Sequence, residues 1–161
     1  MSMKFLLFLL TFSILFKAFS FDYLRTINGK RNIIKSFEIS KSEKFVNFTL
    51  DGTFTDNLGN YGYTESSSIV ILKNNQVVKL EGYGYSTYQN KEIIYSRGQR
   101  NQQEQNSGVG KNKAIGATGS LKDLIGMECT YAIKFFENYF YWLQKCNITE
   151  KQKEILINLP K

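Results

Sequence analysis

Apolar and aromatic residues alternate with polar ones through Phe45 to Phe54, Tyr61 to Leu72, Gln76 to Tyr88 and Glu92 to Gln99. A period of two marks half-buried strands. Turn signals separate the runs: Asp56 to Asn60, Asn74-Asn75 and Gln89-Asn90. Asparagine suits tight hairpins because it tolerates positive φ. Ile33 to Ile39 gives an earlier strand, and Phe21 to Asn32 carries no assignable pattern. Asn101 to Ser107, polar and of low complexity, reads as a long mobile loop. Thr149-Glu150-Lys151-Gln152 is a capping box ahead of Ile155, Leu156 and Leu159, which predicts a short C-terminal helix. Evenly spaced strands, a single proline at position 160 and no βαβ period predict an all-β fold. A closed antiparallel barrel of about seven to eight strands fits best, with a sandwich as the alternative, because closure removes exposed edges.

The last strand pair can be registered from its turn. With Glu137 and Asn138 as the two central residues, Phe136 faces Tyr139 and Cys129 faces Cys146. That pair falls at a non-hydrogen-bonded position, where a Cα separation of ~4.5 Å suits a disulfide. The same register gathers Cys129, Tyr131, Ile133 and Phe135 with Phe140, Trp142 and Cys146 on one face, where Gln144 alone is polar. Two buried free thiols are the alternative, and Glu-Asn is a mediocre turn pair.

Upstream, glycines recur at 108, 110, 116, 119 and 126. Glycine weakens strands unless a bend or close approach needs it, as in a strand coiling around a barrel. The turn Gly116-Ala117-Thr118-Gly119, the segment Ser120 to Gly126 and the strand after it resemble the glycine-rich region of the dirigent and allene oxide cyclase β-barrel superfamily. The resemblance covers about Gly108 to Tyr131. It implies a barrel that steers a coupling or moulds a substrate's conformation, and it carries over no catalytic residue.

Met1 to Ser20 reads as an export signal: Lys4 ahead of an apolar run, Phe5 to Phe16, too short to span a bilayer, then Ala18-Phe19-Ser20 for cleavage. Residues 21–161 then make a single domain, expected to be secreted or periplasmic, without stable membrane insertion after cleavage. Two cysteines suit an oxidising compartment. The formal charge falls from +7 to +5 on cleavage, since the signal holds Lys4 and Lys17 and no acid. The positive charge is scattered, which gives no footprint for nucleic acid. Sequons at Asn47 and Asn147 decide nothing without a source.

The chain has no histidine, so Ser-His, Cys-His and His-metal chemistry are excluded. The acids show no metal-ligand spacing and no nucleotide motif is present, so no cofactor, metal or catalytic residue is expected. Registering the middle strands from two-residue turns puts Tyr63, Glu65, Ser67, Ile69 and Ile71 beside Val78, Leu80, Gly82, Gly84 and Ser86, with Ile93, Tyr95 and Arg97. Lys79, Glu81, Glu92 and Arg100 then face solvent. On this register Tyr63, Glu65, Tyr95 and Arg97 line a lumen that binds a lipophilic or aromatic small molecule. The alternatives are a barrel enzyme or auxiliary guiding cyclisation or coupling, and a surface module whose lumen is filled, with a Glu65–Arg97 pair satisfied inside. A cavity below about 100 Å³ would favour the filled lumen.

Overall fold

The structure, a computed structural model, describes residues 21–100, 103–104 and 106–161. The expected signal, residues 1–20, lies outside the described residues. Among the described residues nine strands run in chain order: β1 (Phe21–Ser40), β2 (Glu43–Asp56), β3 (Tyr61–Lys73), β4 (Gln76–Tyr88), β5 (Ile93–Arg100), β6 (Gln103–Glu104), β7 (Ser107–Ala117), β8 (Glu128–Phe136) and β9 (Tyr139–Ile148). Helix α1 (Glu150–Ile157) follows. Each long strand pairs antiparallel with the next, and β1 pairs with β9, so eight strands close an up-and-down barrel. The two residues of β6 pair with Gln76 and Val77 at the start of β4. Part of the segment read as a loop is thus strand; residues 101, 102 and 105 of it lie outside the described residues.

The first strand is longer than the pattern suggests. Tyr23, Arg25, Ile27, Gly29 and Arg31 alternate on one face of β1, and the two arginines and the glycine disguise an inward face as a polar one. The β8–β9 register is the expected one, with Cys129 opposite Cys146 at a Cα separation of 4.1 Å and bonded as a disulfide. Tyr131, Ile133, Phe135, Phe140 and Gln144 are buried beside it.

The barrel is narrow. Gly82 and Gly84 point inward on β4, and a Cβ at Gly84 would sit 2.6 Å from that of Ser66 on β3. The end nearest α1 is plugged by Tyr23, Phe54, Tyr88, Leu121, Leu124, Ile148 and Leu156, all at most 2% exposed. Leu121 and Leu124 belong to a 3₁₀ turn at Gly119–Leu124. Thr149 caps α1 through the predicted box: its hydroxyl accepts from Gln152 N–H, and the Gln152 side chain accepts from Thr149 N–H. Asn60 locks the same end, donating to Asp56 Oδ2 and to the Leu156 carbonyl, each at 3.0 Å.

Candidate functional site

The middle strands depart from the expected register, and the site moves with them. Asn74-Asn75 is the expected turn, both residues at positive φ, and Leu72 faces Val77 as predicted. Then Ile71 faces Lys79, so Val78 is an extra, bulged residue. From there β3 shows the opposite face to the one inferred. At the other end of β4 the loop holds three residues, Gln89 to Lys91, with Lys91 at φ 69°. A third residue in the left-handed region is the usual form of the longer hairpin, and it inverts β5 in the same way. The inward set is Ser68, Val70 and Leu72 on β3, Leu80 and Ser86 on β4, and Ile94 and Arg100 on β5.

Tyr63, Glu65, Tyr95 and Arg97 therefore do not line the lumen. All four stand on the outer wall, and they stand together there. Tyr85 of β4 lies between Tyr63 and Tyr95, with ring centroids 6.4 Å away on either side. The Tyr85 hydroxyl donates to Glu65 Oε2 at 2.6 Å, and this bond is the main reason the phenol is pushed up to about 12. Tyr83, one pleat along, donates to Glu81 Oε1 at 3.0 Å. Arg97 pairs with Glu81 at 2.8 Å, not with Glu65, and lies 5.9 Å from the Tyr83 ring centre. The Tyr83 hydroxyl and the Arg97 guanidinium hold the Glu81 carboxylate below its usual range. Tyr95 leans over Gly116 of β7, where a Cβ would come 3.5 Å from the ring. With Tyr61, five of the chain's ten tyrosines occupy this one face of β3, β4 and β5. Tyr63 is 47% exposed and Tyr95 43%. Alternation by itself shows such tyrosines, but only the register tells which wall they decorate.

The lumen has a different chemistry from the one expected. Cavities of about 50, 40 and 10 Å³ open among the inward side chains, and the first shares lining residues with each of the other two. Phe48, Phe135 and Ile133 make one side apolar, while Ser66, Ser96, Asn112 and Trp142 line both larger spaces. Arg100, expected in solvent, is 3% exposed and lines two of the cavities; Arg25, unassigned from sequence, is 4% exposed and lines the third. The Arg25 guanidinium lies 4.0 Å over the Phe54 ring and donates to Ser86 Oγ. Burial lowers the pKa of Arg100 and raises that of Tyr131 to about 12. Arginine inside a strand pattern reads as a surface mark, and that rule puts Arg100 in solvent.

No family model, curated protein or solved structure matches the chain.

Proposed function

We propose that this barrel is a binding module whose working surface is the tyrosine face of β3, β4 and β5, and that its partner is a neutral saccharide chain. The carrying observation is the row Tyr63–Tyr85–Tyr95 across three adjacent strands, with partly exposed rings about one ring-contact distance apart. An aromatic face carries a negative quadrupole, and a pyranose offers a flat face of weakly positive C–H groups to match it. The hydroxyls around a sugar's rim need donors and acceptors at the edges of the rings. Glu65, Glu81 and Arg97 supply them. The charged groups among the tyrosines, two acids and one base, do not suit a polyanion, which needs a basic groove beside its stacking rings. Clustered exposed aromatics on a folded surface mark interaction sites.

A lipophilic guest in the lumen, or the guided coupling and cyclisation that the dirigent-like resemblance implies, needs room of roughly 300–1,000 Å³. The interior cavities are of about 50, 40 and 10 Å³, which favours a lumen filled by its own side chains. Export through Met1 to Ser20 belongs to the same reading, supported by the Cys129–Cys146 bond.

The test is depletion of purified protein by insoluble glucans and chitin, followed by oligosaccharide titration. Tyr63→Ala and Tyr95→Ala should each weaken binding at least tenfold while shifting stability by no more than about 0.5 kcal/mol, as surface changes do. Failure of every polymer to bind, or equal binding by both variants, would contradict the reading.

A further inference from the structure

Only the first half of β1 belongs to the closed barrel. Residues 21–30 pair with β9. Arg31 N–H then donates to the Asn138 carbonyl in the β8–β9 turn, and there that neighbour ends. Among the described residues, 32–40 pair with β2 alone. At ~3.4 Å per residue, nine residues leave an open edge about 30 Å long. Arg31 donates away from β2, so backbone groups of alternate residues point to the open side. These are Ile33 and then, past the bulge at Ile34, Ser36 and Glu38. The edge is apolar as well as open. Ile33, Ile34, Phe37 and Ile39 are between 48% and 60% exposed. Phe37 stacks on Phe45 of β2 with ring centroids 4.9 Å apart. Proteins ordinarily blunt a long edge with proline, charge or a cover. This stretch holds no proline, and its two charges, Lys35 and Glu38, cancel.

We propose that this edge is a self-association site: residues 32–40 of two copies pair antiparallel about a two-fold axis, joining two barrels through one continuous sheet. Backbone donors and acceptors at ladder spacing call for a strand, and this strand is complementary to itself. In an antiparallel pair on a two-fold axis, one residue faces its own copy. Centred on Lys35 or on Glu38, the pairing sets like charges face to face. Centred on Ser36, it puts Lys35 against each phenylalanine. Centred on Phe37, it sets ring against ring at a non-hydrogen-bonded position, where Cα atoms lie ~4.5 Å apart. The stack of Phe37 on Phe45 then continues across the axis into the second copy. Lys35 faces Ile39, and Ser36 exchanges backbone hydrogen bonds with Glu38. The Glu38 carboxylate keeps its own partner, Lys44, at 3.4 Å. With no net charge on the edge, two copies of a chain of formal charge +7 meet there without local repulsion.

Sedimentation equilibrium of the purified chain should give a mass that rises with concentration to that of two copies and no further. Amide exchange at Ser36 and Glu38 should slow as the dimer forms. Phe37→Lys puts like charges on the axis and should weaken self-association at least tenfold. Ile115→Lys, at a similarly exposed position on β7, should leave it unchanged. Should Phe37→Lys not fold, cysteine substitution still decides. Mild oxidation should link two copies of Phe37→Cys, because that residue faces itself, and none of Ser36→Cys, which faces Glu38. A mass of one copy at every concentration, growth beyond two copies, or crosslinking through Ser36→Cys and not Phe37→Cys would overturn the pairing. So would a chain that stays single and takes up an unrelated extended peptide along this edge. No saccharide enters these measurements, so their outcome is separate from that of the tyrosine face.

Discussion

Glu92 shows how one side chain serves two segments. Its carboxylate accepts from the backbone N–H and hydroxyl of Ser120 and from the N–H of Leu121, which open the 3₁₀ turn under the barrel. Burial pushes its pKa up, but the bonds from Ser120 and Leu121 outweigh that and leave it below the usual glutamate range. A carboxyl with a depressed folded pKa contributes stability above its unfolded pKa, near ~4.3, and loses it as pH falls through the folded value. Glu92→Gln should therefore be less stable than the parent at pH 6 and converge with it near pH 3, read from urea midpoints. A gap that stays constant with pH would contradict this. Cys129 and Cys146 are the other residue-scale anchor. Their loop, of sequence separation 17, implies about 3 kcal/mol of stabilisation on the chain-entropy model. Reduction, or Cys129→Ser with Cys146→Ser, should lower the melting temperature by about 5 °C or more. An unchanged melting curve under reductant would argue against the bond.

Turns decide which way each strand of the barrel faces. Lys91 sits at φ 69°, a conformation that costs a residue with a Cβ about 1 kcal/mol. Lys91→Gly should stabilise by that order, whereas deleting Lys91 should force a two-residue turn, invert β5 and prevent folding. Urea denaturation of the two variants separates these outcomes; a benign deletion would contradict the register. This same residue explains what was legible in the sequence. The β8–β9 hairpin could be registered because two signals, the cysteine pair and the apolar face, agree on one slip. The capping box at Thr149 was legible because it is local. The β3–β4 and β4–β5 hairpins had only a turn signal each, and one bulge at Val78 and one extra loop residue at Lys91 turned both neighbours of β4 over. The face of β4 itself, Leu80 to Ser86, reads correctly. So Tyr63, Glu65 and Tyr95 meet Tyr85, and Arg97 meets Glu81, on the outer wall and not in the lumen. Arg25 is not legible in the sequence because Phe21 to Asn32 shows no apolar alternation when arginine and glycine take inward places.

The eight strands create two unlike surfaces, a tyrosine-rich outer wall and an interior that buries Arg25 and Arg100, and one slip of register would exchange faces. Chemical modification of tyrosines reads that arrangement in a single experiment. On nitration followed by peptide mass spectrometry, Tyr61, Tyr63, Tyr83 and Tyr95 should react, as should Tyr139 and Tyr141 on β9, which lies across the barrel from β4. Tyr23, Tyr88 and Tyr131, at most 3% exposed, should resist. Repeated with the protein bound to polysaccharide, the same measurement shows which wall the ligand covers. Tyr63, Tyr83 and Tyr95 should become protected while Tyr139 and Tyr141 stay reactive. Equal reactivity of the two walls in the bound state, or reaction at Tyr88 and Tyr131 with Tyr63 and Tyr95 protected throughout, would contradict it.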